Sequence, residues 1–92
     1  MNLIEVTKKK EDTFEVVVNA AQTTRHVVTV EPSYCERLTG GNSTAEELLE
    51  MSFEFLLERE PNTMILSSFD LPVIGHYFPE YEKSIRTRCS RG

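Results

Sequence analysis

The sequence predicts an α+β domain, a three-stranded antiparallel meander followed by three to four helices packed on one face. Apolar residues alternate with a period of two over residues 4–30, which is the pattern of strands. The period changes after Pro32, and residues 44–60 place apolar side chains at helical spacing. A chain of 92 residues, 39% of them apolar and 27% charged, fits one globular domain.

Each strand of the predicted meander places alternate residues on one face. That face holds Ile4 and Val6 from the first strand, Phe14, Val16 and Val18 from the second, and His26, Val28 and Val30 from the third. Residues 8–13 and 19–24 are polar and short enough to form hairpin loops. Residues 1–31 are therefore expected to form a sheet with one buried face.

Two helices joined by a glycine turn are predicted next. Residues 32–38 begin with proline and precede Gly40 and Gly41, one of which is expected to take the left-handed cap conformation. The loop GGNSTAEE contains no lysine and places Glu46 and Glu47 in the first turn of the following helix. Because those carboxylates occupy the positive end of the helix dipole, a helix-to-helix turn is favoured over a phosphate-binding loop.

The second helix is predicted over residues 44–60, with Ser43 or Thr44 as the N-cap of a capping box and Pro61 after its end. Its apolar arc is wide and consists of Ala45, Leu48, Leu49, Met51, Phe53, Phe55, Leu56 and Leu57. Packing on a sheet usually needs a narrower arc. The helix is therefore expected to be covered on several sides, either by the C-terminal segment or by a second chain.

The remaining third of the chain carries weaker signals. Residues 61–70 are predicted to form a turn region with apolar anchors. Asp70 is expected to cap a short helix over residues 71–78, and a last helix is expected over residues 79–86.

The last ten residues are rich in cations and contain no acid. Residues 83–92 hold Lys83, Arg86, Arg88 and Arg91. They are predicted to form a basic, flexible C-terminal tail. The folded domain is accordingly expected to span residues 1–82, with its helical part at residues 32–82.

No constellation of residues predicts a metal site or catalysis. An acidic strip along the second helix consists of Glu47, Glu50, Glu54 and Glu58. No histidine has the spacing of a di-metal helical site, so a solvated face is expected and a docking surface for a basic partner is the alternative. Zinc-ligand spacing is also missing among His26, His76, Cys35 and Cys89. The chain is therefore predicted not to be an enzyme and to use no cofactor.

Charge and cysteine content indicate a cytoplasmic protein. The net charge is −5, and residues 31–82 hold most of the acids against two arginines, Arg37 and Arg59. Such a surface disfavours nucleic acid and anionic membranes. No apolar run approaches the roughly 20 residues that cross a bilayer. Two cysteines without a paired framework fit a reducing compartment.

Two family resemblances add expectations. Residues 25–60, HVVTVEPSYCERL followed by STAEELLEMSFEFLLERE, resemble ribbon–helix–helix repressors in outline. That resemblance implies a homodimer whose paired strands enter the major groove, with Arg25, Val27 and Thr29 facing the bases. The basic tail, through Arg86 and Arg88, would then contact phosphates.

The second resemblance covers residues 37–81 and is the more specific of the two. The run from RLTGG to FPEY is similar to a group of small, uncharacterised bacterial proteins. It implies a bacterial cytosolic protein and brings no activity with it.

The leading functional hypothesis is a small non-enzymatic interaction or regulatory module of a bacterial cytosol. Its partner would be another protein or a second copy, giving a homodimer. The contacts would come from Met51, Phe55, Leu57, Phe69, Tyr77, Phe78 and Tyr81, because interface cores favour aromatic residues and methionine. The alternative is a ribbon–helix–helix-like DNA-binding regulator.

Overall fold

The alternating segments fold as the predicted antiparallel meander. A computed structural model describes residues 3–90 of the chain. In chain order the elements are β1 Ile4–Lys8, β2 Thr13–Asn19, β3 Thr23–Thr29, α1 Pro32–Thr39, α2 Ala45–Leu57, a 3₁₀ turn Asn62–Met64, β4 Ser68–Asp70, α3 Val73–Tyr77 and α4 Tyr81–Ser90. Val16 of β2 lies opposite Val6 of β1 and His26 of β3. This register keeps the residues assigned to the buried face of all three strands together, while Val17 and Val27 lie on the other face.

The sheet has a fourth strand that the sequence did not predict. β4 pairs in parallel with β3, and Phe69 lies opposite Val28. The sheet is therefore mixed, with the order β1-β2-β3-β4. The expectation of a three-stranded, purely antiparallel sheet needs this correction. A three-residue strand is too short to show a period, and its partner strand lies far earlier in the sequence.

The core lies between one face of the sheet and the helices. Every residue assigned to that face is buried except Val6, which is partly buried and packs against the core. α2 contributes Leu48, Leu49, Phe53 and Phe55, all fully buried, and it packs against β1. The α+β class with helices on one sheet face agrees with the sequence prediction.

The wide apolar arc of α2 is covered by the chain's own C-terminal helix. α4 packs against both α1 and α2. Tyr81 and Ile85 of α4 are fully buried, and the rings of Phe55 and Tyr81 meet edge to face with their centroids 5.3 Å apart. The sequence predicted that either the C-terminal segment or a second chain covers this arc, and here the C-terminal segment does so.

Residues 83–90 belong to α4 rather than to a tail. The predicted boundary between residues 82 and 83 falls inside this helix. Tyr81, Ile85 and Cys89 recur every four residues, which places all three on one face of α4, and all three are buried. Arg91, the last cation of the predicted tail, lies outside the described residues.

Local signals set most of the helix ends. Gly40 ends α1 in the left-handed conformation with a φ of 67°. Thr44 is the N-cap of α2 and forms the complete capping box with Glu47, which settles the choice between the two predicted boxes. Asp70 lies in β4 and does not cap α3, whose N-cap residue Pro72 makes no side-chain cap hydrogen bond.

None of the helices within residues 3–90 combines the length and the apolar composition that crossing a bilayer requires.

Candidate functional site

An open apolar groove of about 180 Å³ lies between the end of α2, the 3₁₀ turn, β4 and α3. We call it the α3 groove. Its lining consists of Leu56, Glu60, Met64, Ile65, Leu66, Phe69, Val73, Ile74, Tyr77 and Phe78. Nine of these ten side chains are apolar or aromatic, which makes the groove a candidate binding surface.

Three of the five exposed large hydrophobic side chains among the described residues lie at the rim of the α3 groove. Met64, Leu66 and Tyr77 are 68%, 47% and 67% exposed. The described residues include two other exposed large hydrophobic side chains, Leu3 and Val27, and neither lines this groove. Single exposed apolar residues are normal, but three around one concavity make it a candidate interaction surface.

The floor of the groove is part of the core. Leu56, Ile65 and Ile74 are buried there. Phe78 packs edge to face on the core residue Phe55, with ring centroids 5.9 Å apart. The concavity is therefore built on packed side chains and not on a loop alone.

Hydrogen bonds to the sheet hold the loop wall of the groove. Nδ1 of the buried His26 lies 2.7 Å from the carbonyl oxygen of Leu66. A carbonyl only accepts, so Nδ1 donates, and in the neutral imidazole Nε2 accepts from the Thr24 hydroxyl at 2.9 Å. The amide of Asn62 donates to Thr24 Oγ1 and to the Gln22 carbonyl oxygen, both at 2.8 Å. This network fixes the segment that carries Met64 and Leu66.

His26 is thus a core residue with both ring nitrogens engaged, as its position in the alternation predicted. Its ring also packs near Phe53, with centroids 5.3 Å apart. Neither nitrogen is left to bind a metal ion in this arrangement.

Glu60 is the one charged side chain among the described residues that line the groove. Burial raises the pKa of its carboxyl above the ordinary value. The carboxylate makes no ion pair or side-chain hydrogen bond to any residue in the described range. A partly buried carboxylate therefore faces the groove without a counter-charge.

A second, polar cleft of about 490 Å³ lies on the other side of α3, near Arg37 and His76. It is larger than the α3 groove, but its lining contains acidic residues, Glu31 and Asp70, as well as Arg37. The Arg37 guanidinium lies over the Tyr34 ring, 5.3 Å from its centroid. A surface with mixed charges selects neither an anion nor a cation, so this cleft is the weaker candidate.

The predicted interface residues divide into three groups. Phe69, Tyr77 and Phe78 converge on the α3 groove. Phe55 and Tyr81 are fully buried between α2 and α4, and this corrects their assignment to a protein interface. The last two, Met51 and Leu57, are partly buried against the core and do not line the groove. The wide arc of α2 that suggested an interface is largely internal packing.

The four predicted nucleic-acid contacts do not form one surface. Arg25 and Thr29 lie on the sheet face opposite the helices, whereas Arg86 and Arg88 belong to α4. The cations are also paired within the chain. Arg25 lies 3.8 Å from Glu15, Arg86 lies 3.8 Å from Glu82, and Arg88 lies 3.6 Å from Glu54 and 3.3 Å from Glu58.

β3 is paired on both sides. β2 flanks it along its length, and β4 pairs with residues 27–29 on the other edge. In a ribbon–helix–helix dimer the corresponding strand pairs with its copy in a second chain. In this fold a strand of the same chain occupies part of that edge.

Three of the four glutamates in the acidic strip of α2 make local contacts. Glu47 caps the helix, and Glu54 and Glu58 pair with Arg88 of α4. No group of three or more potential metal ligands lies together in residues 3–90.

Cys35 and Cys89 are both buried, and the sulfur of each lies near an oxygen of Ser43. Cys35 Sγ is 3.9 Å from the carbonyl oxygen of Ser43, and Cys89 Sγ is 3.9 Å from its hydroxyl oxygen. Burial raises the pKa of the Cys35 thiol, which disfavours the reactive thiolate.

Sequence reasoning missed Glu60, Met64 and Leu66 as members of a site. One signal was available. Met64, Ile65 and Leu66 are three successive apolar residues in a turn region, and a turn can bury only some of them. The structure buries Ile65 and exposes the other two.

The chain matches no protein-family model, no curated protein and no solved structure.

Proposed function

We propose that this protein is a small interaction module that binds an apolar segment of a different protein in the α3 groove. The observation that carries the proposal is the concentration of exposed Met64, Leu66 and Tyr77 around a buried apolar floor. Methionine and tyrosine are common where protein surfaces recognise partners, because they offer large contact areas.

The size of the groove favours a protein segment over a cofactor. Its volume, about 180 Å³, is below the roughly 300–1,000 Å³ of typical small-molecule pockets. One or two anchoring side chains of a partner fit such a space, as in the binding of a short peptide segment to a groove.

The loop wall of the groove is pre-formed in the absence of a partner. The His26 and Asn62 hydrogen bonds hold its loop wall against the sheet. A partner therefore loses little affinity to ordering this wall.

The test is selection of peptides from a randomised displayed library on the immobilised full chain. The selected peptides are then titrated by fluorescence anisotropy against wild type, Leu66→Asn and Leu3→Asn. Leu3 is the matched control for Leu66. The two side chains are similarly exposed, Leu66 at 47% and Leu3 at 51%, but only Leu66 lines the groove. Leu66 contacts His26 through its backbone, so this substitution leaves the hydrogen bond in place.

We expect peptides with apolar anchors whose dissociation constant rises about tenfold or more with Leu66→Asn, the usual size of a hot-spot effect. Leu3→Asn should change it less than about twofold. A library that yields no binding peptide, or equal effects of the two substitutions, would contradict the proposal.

A further inference from the structure

We propose that the segment bound in the α3 groove carries a lysine or arginine beside its apolar anchor, and that this cation pairs with Glu60. The inference rests on the proposed function of the groove and specifies the chemistry of its partner.

Glu60 lies in the wall of the groove just beyond α2. Its backbone N–H donates to the Leu56 carbonyl oxygen at 2.9 Å, which continues the helical turn and places its side chain among the lining residues. The side chain is partly buried and has no counter-charge within residues 3–90.

The nearest cation in the sequence is committed elsewhere. Arg59 lies over the Phe55 ring at 3.6 Å from its centroid, and it donates to the Phe55 carbonyl oxygen at 3.1 Å. It also pairs with Glu80 at 3.1 Å and with Glu58 at 3.2 Å. These contacts hold the guanidinium on the side of α2 that faces α4, so it does not neutralise Glu60.

An occupant of the groove changes the surroundings of Glu60. An apolar segment displaces water from the carboxylate, and an unpaired charge in an apolar site is unfavourable. A cation on the occupant offsets that loss, and an arginine can form two hydrogen bonds to the carboxylate. The groove therefore favours a segment with both an apolar anchor and a positive charge over a purely apolar one.

Residues 3–90 of a second copy of this chain do not offer that combination. Among them, the exposed lysines and arginines without an ion pair are Lys8, Lys10, Arg37 and Lys83. No exposed large apolar residue lies within two positions of any of them. The exposed Val27 has Arg25 two positions away, but Arg25 is paired with Glu15 on the sheet face opposite the helices. A different protein is the better match.

The experiment uses the peptides selected on wild type and a double-mutant cycle. Each peptide's cation is replaced by glutamine, and both peptides are titrated against wild type and Glu60→Gln. Glu50→Gln is the matched control, because Glu50 is exposed on α2 and outside the groove. Circular dichroism verifies that each variant is folded.

We expect lysine or arginine to be enriched beside the apolar anchor. Loss of this cation should weaken binding to wild type and to Glu50→Gln by about tenfold, and binding to Glu60→Gln by less than about twofold, because paired charges couple.

Two results would overturn the inference while leaving the proposed function standing. The first is a set of peptides whose binding is weakened by Leu66→Asn but that shows no enrichment of lysine or arginine. The second is an equal loss of affinity for wild type and for Glu60→Gln when the peptide's cation is replaced. If no peptide responds to Leu66→Asn, the proposed function fails as well. A dimer in size-exclusion chromatography that Leu66→Asn dissociates would replace the different protein by a second copy.

Discussion

Ser52 and Tyr81 form a fully buried polar contact between α2 and α4. Their hydroxyl oxygens are 2.6 Å apart, and Ser52 donates its own hydrogen to the Leu48 carbonyl oxygen at 2.7 Å. Tyr81 is therefore the donor to Ser52. Burial raises the pKa of the Tyr81 hydroxyl, which keeps it protonated in this role. The pair gives a directional hydrogen bond to the buried part of the contact between α2 and α4, whose ion pairs lie at its exposed edge.

Removing the two hydroxyl groups should have unequal and non-additive effects. Tyr81→Phe should lower the unfolding free energy by about 1 kcal/mol, the net value of one hydrogen bond. Ser52→Ala leaves a buried donor unsatisfied and should cost roughly 1–3 kcal/mol. The double variant should cost less than the sum of the two. Urea unfolding of all four proteins measures this, and strictly additive losses would show that the hydroxyl groups are not coupled.

Glu60 gives a pH dependence of stability with a defined sign. Its pKa is raised in the folded protein by burial, so its ionised form disfavours folding. The stability that Glu60 contributes is present below its unfolded pKa and is lost as the pH rises through the folded value. Glu60→Gln should therefore raise the unfolding free energy at neutral pH, and the gain should shrink towards about pH 4, near the ordinary pKa of glutamate.

Chemical unfolding at the two pH values, with Glu50→Gln as the control, measures that difference. The control substitution should show a smaller change between neutral and acidic conditions. A gain for Glu60→Gln that stays constant over this range would mean that the burial of Glu60 does not penalise its charge.

At the scale of elements, the second half of α4 is the clearest departure from the sequence prediction, which ended the last helix at residue 86 and assigned residues 83–92 to a tail. Its cations suggested a solvated tail, but its four-residue spacing of Tyr81, Ile85 and Cys89 forms a buried stripe. The stripe was present in the sequence and was outweighed by the charge pattern. Arg88 shows why the two coexist, since it pairs with Glu54 and Glu58 of α2 beside that stripe.

Ile85→Ala should destabilise the protein by roughly 2–5 kcal/mol, because it opens a cavity in a fully buried position. Lys83→Ala lies on the exposed side of the same helix and should change the unfolding free energy by less than about 0.5 kcal/mol. Thermal and urea unfolding distinguish the two variants. Equal, small effects would restore the description of residues 83–92 as a tail.

At the scale of the whole molecule, the sequence predicted what depends on local spacing. The meander, α1 with its glycine cap, and α2 with its capping box all follow from residues close together in the chain. The Cα radius of gyration, 12.2 Å, matches the value of about 12 Å for a single compact domain of this length.

The α3 groove was not predictable in the same way. Three of the aromatic residues that suggested an interface do lie on it, but its shape depends on β4 and on the bond between His26 and Leu66. Those contacts join segments that are far apart in the sequence, and the residue pattern of one segment does not predict that it pairs with the other. Phe55 of α2 and Tyr81 of α4 were wrongly assigned to an interface, because a wide apolar arc has the same sequence pattern whether a helix of the same chain or a partner covers it.

The parallel pairing of β4 with β3 affects the stage of folding at which the α3 groove forms. His26 and Leu66 are separated by 40 residues, so the groove wall closes only after a long loop has been brought together. Contacts of such separation form late, after local helices and hairpins. A nascent or partly unfolded chain therefore lacks the groove even when its meander is complete. Any partner that recognises the groove would bind the fully folded chain and would not bind folding intermediates.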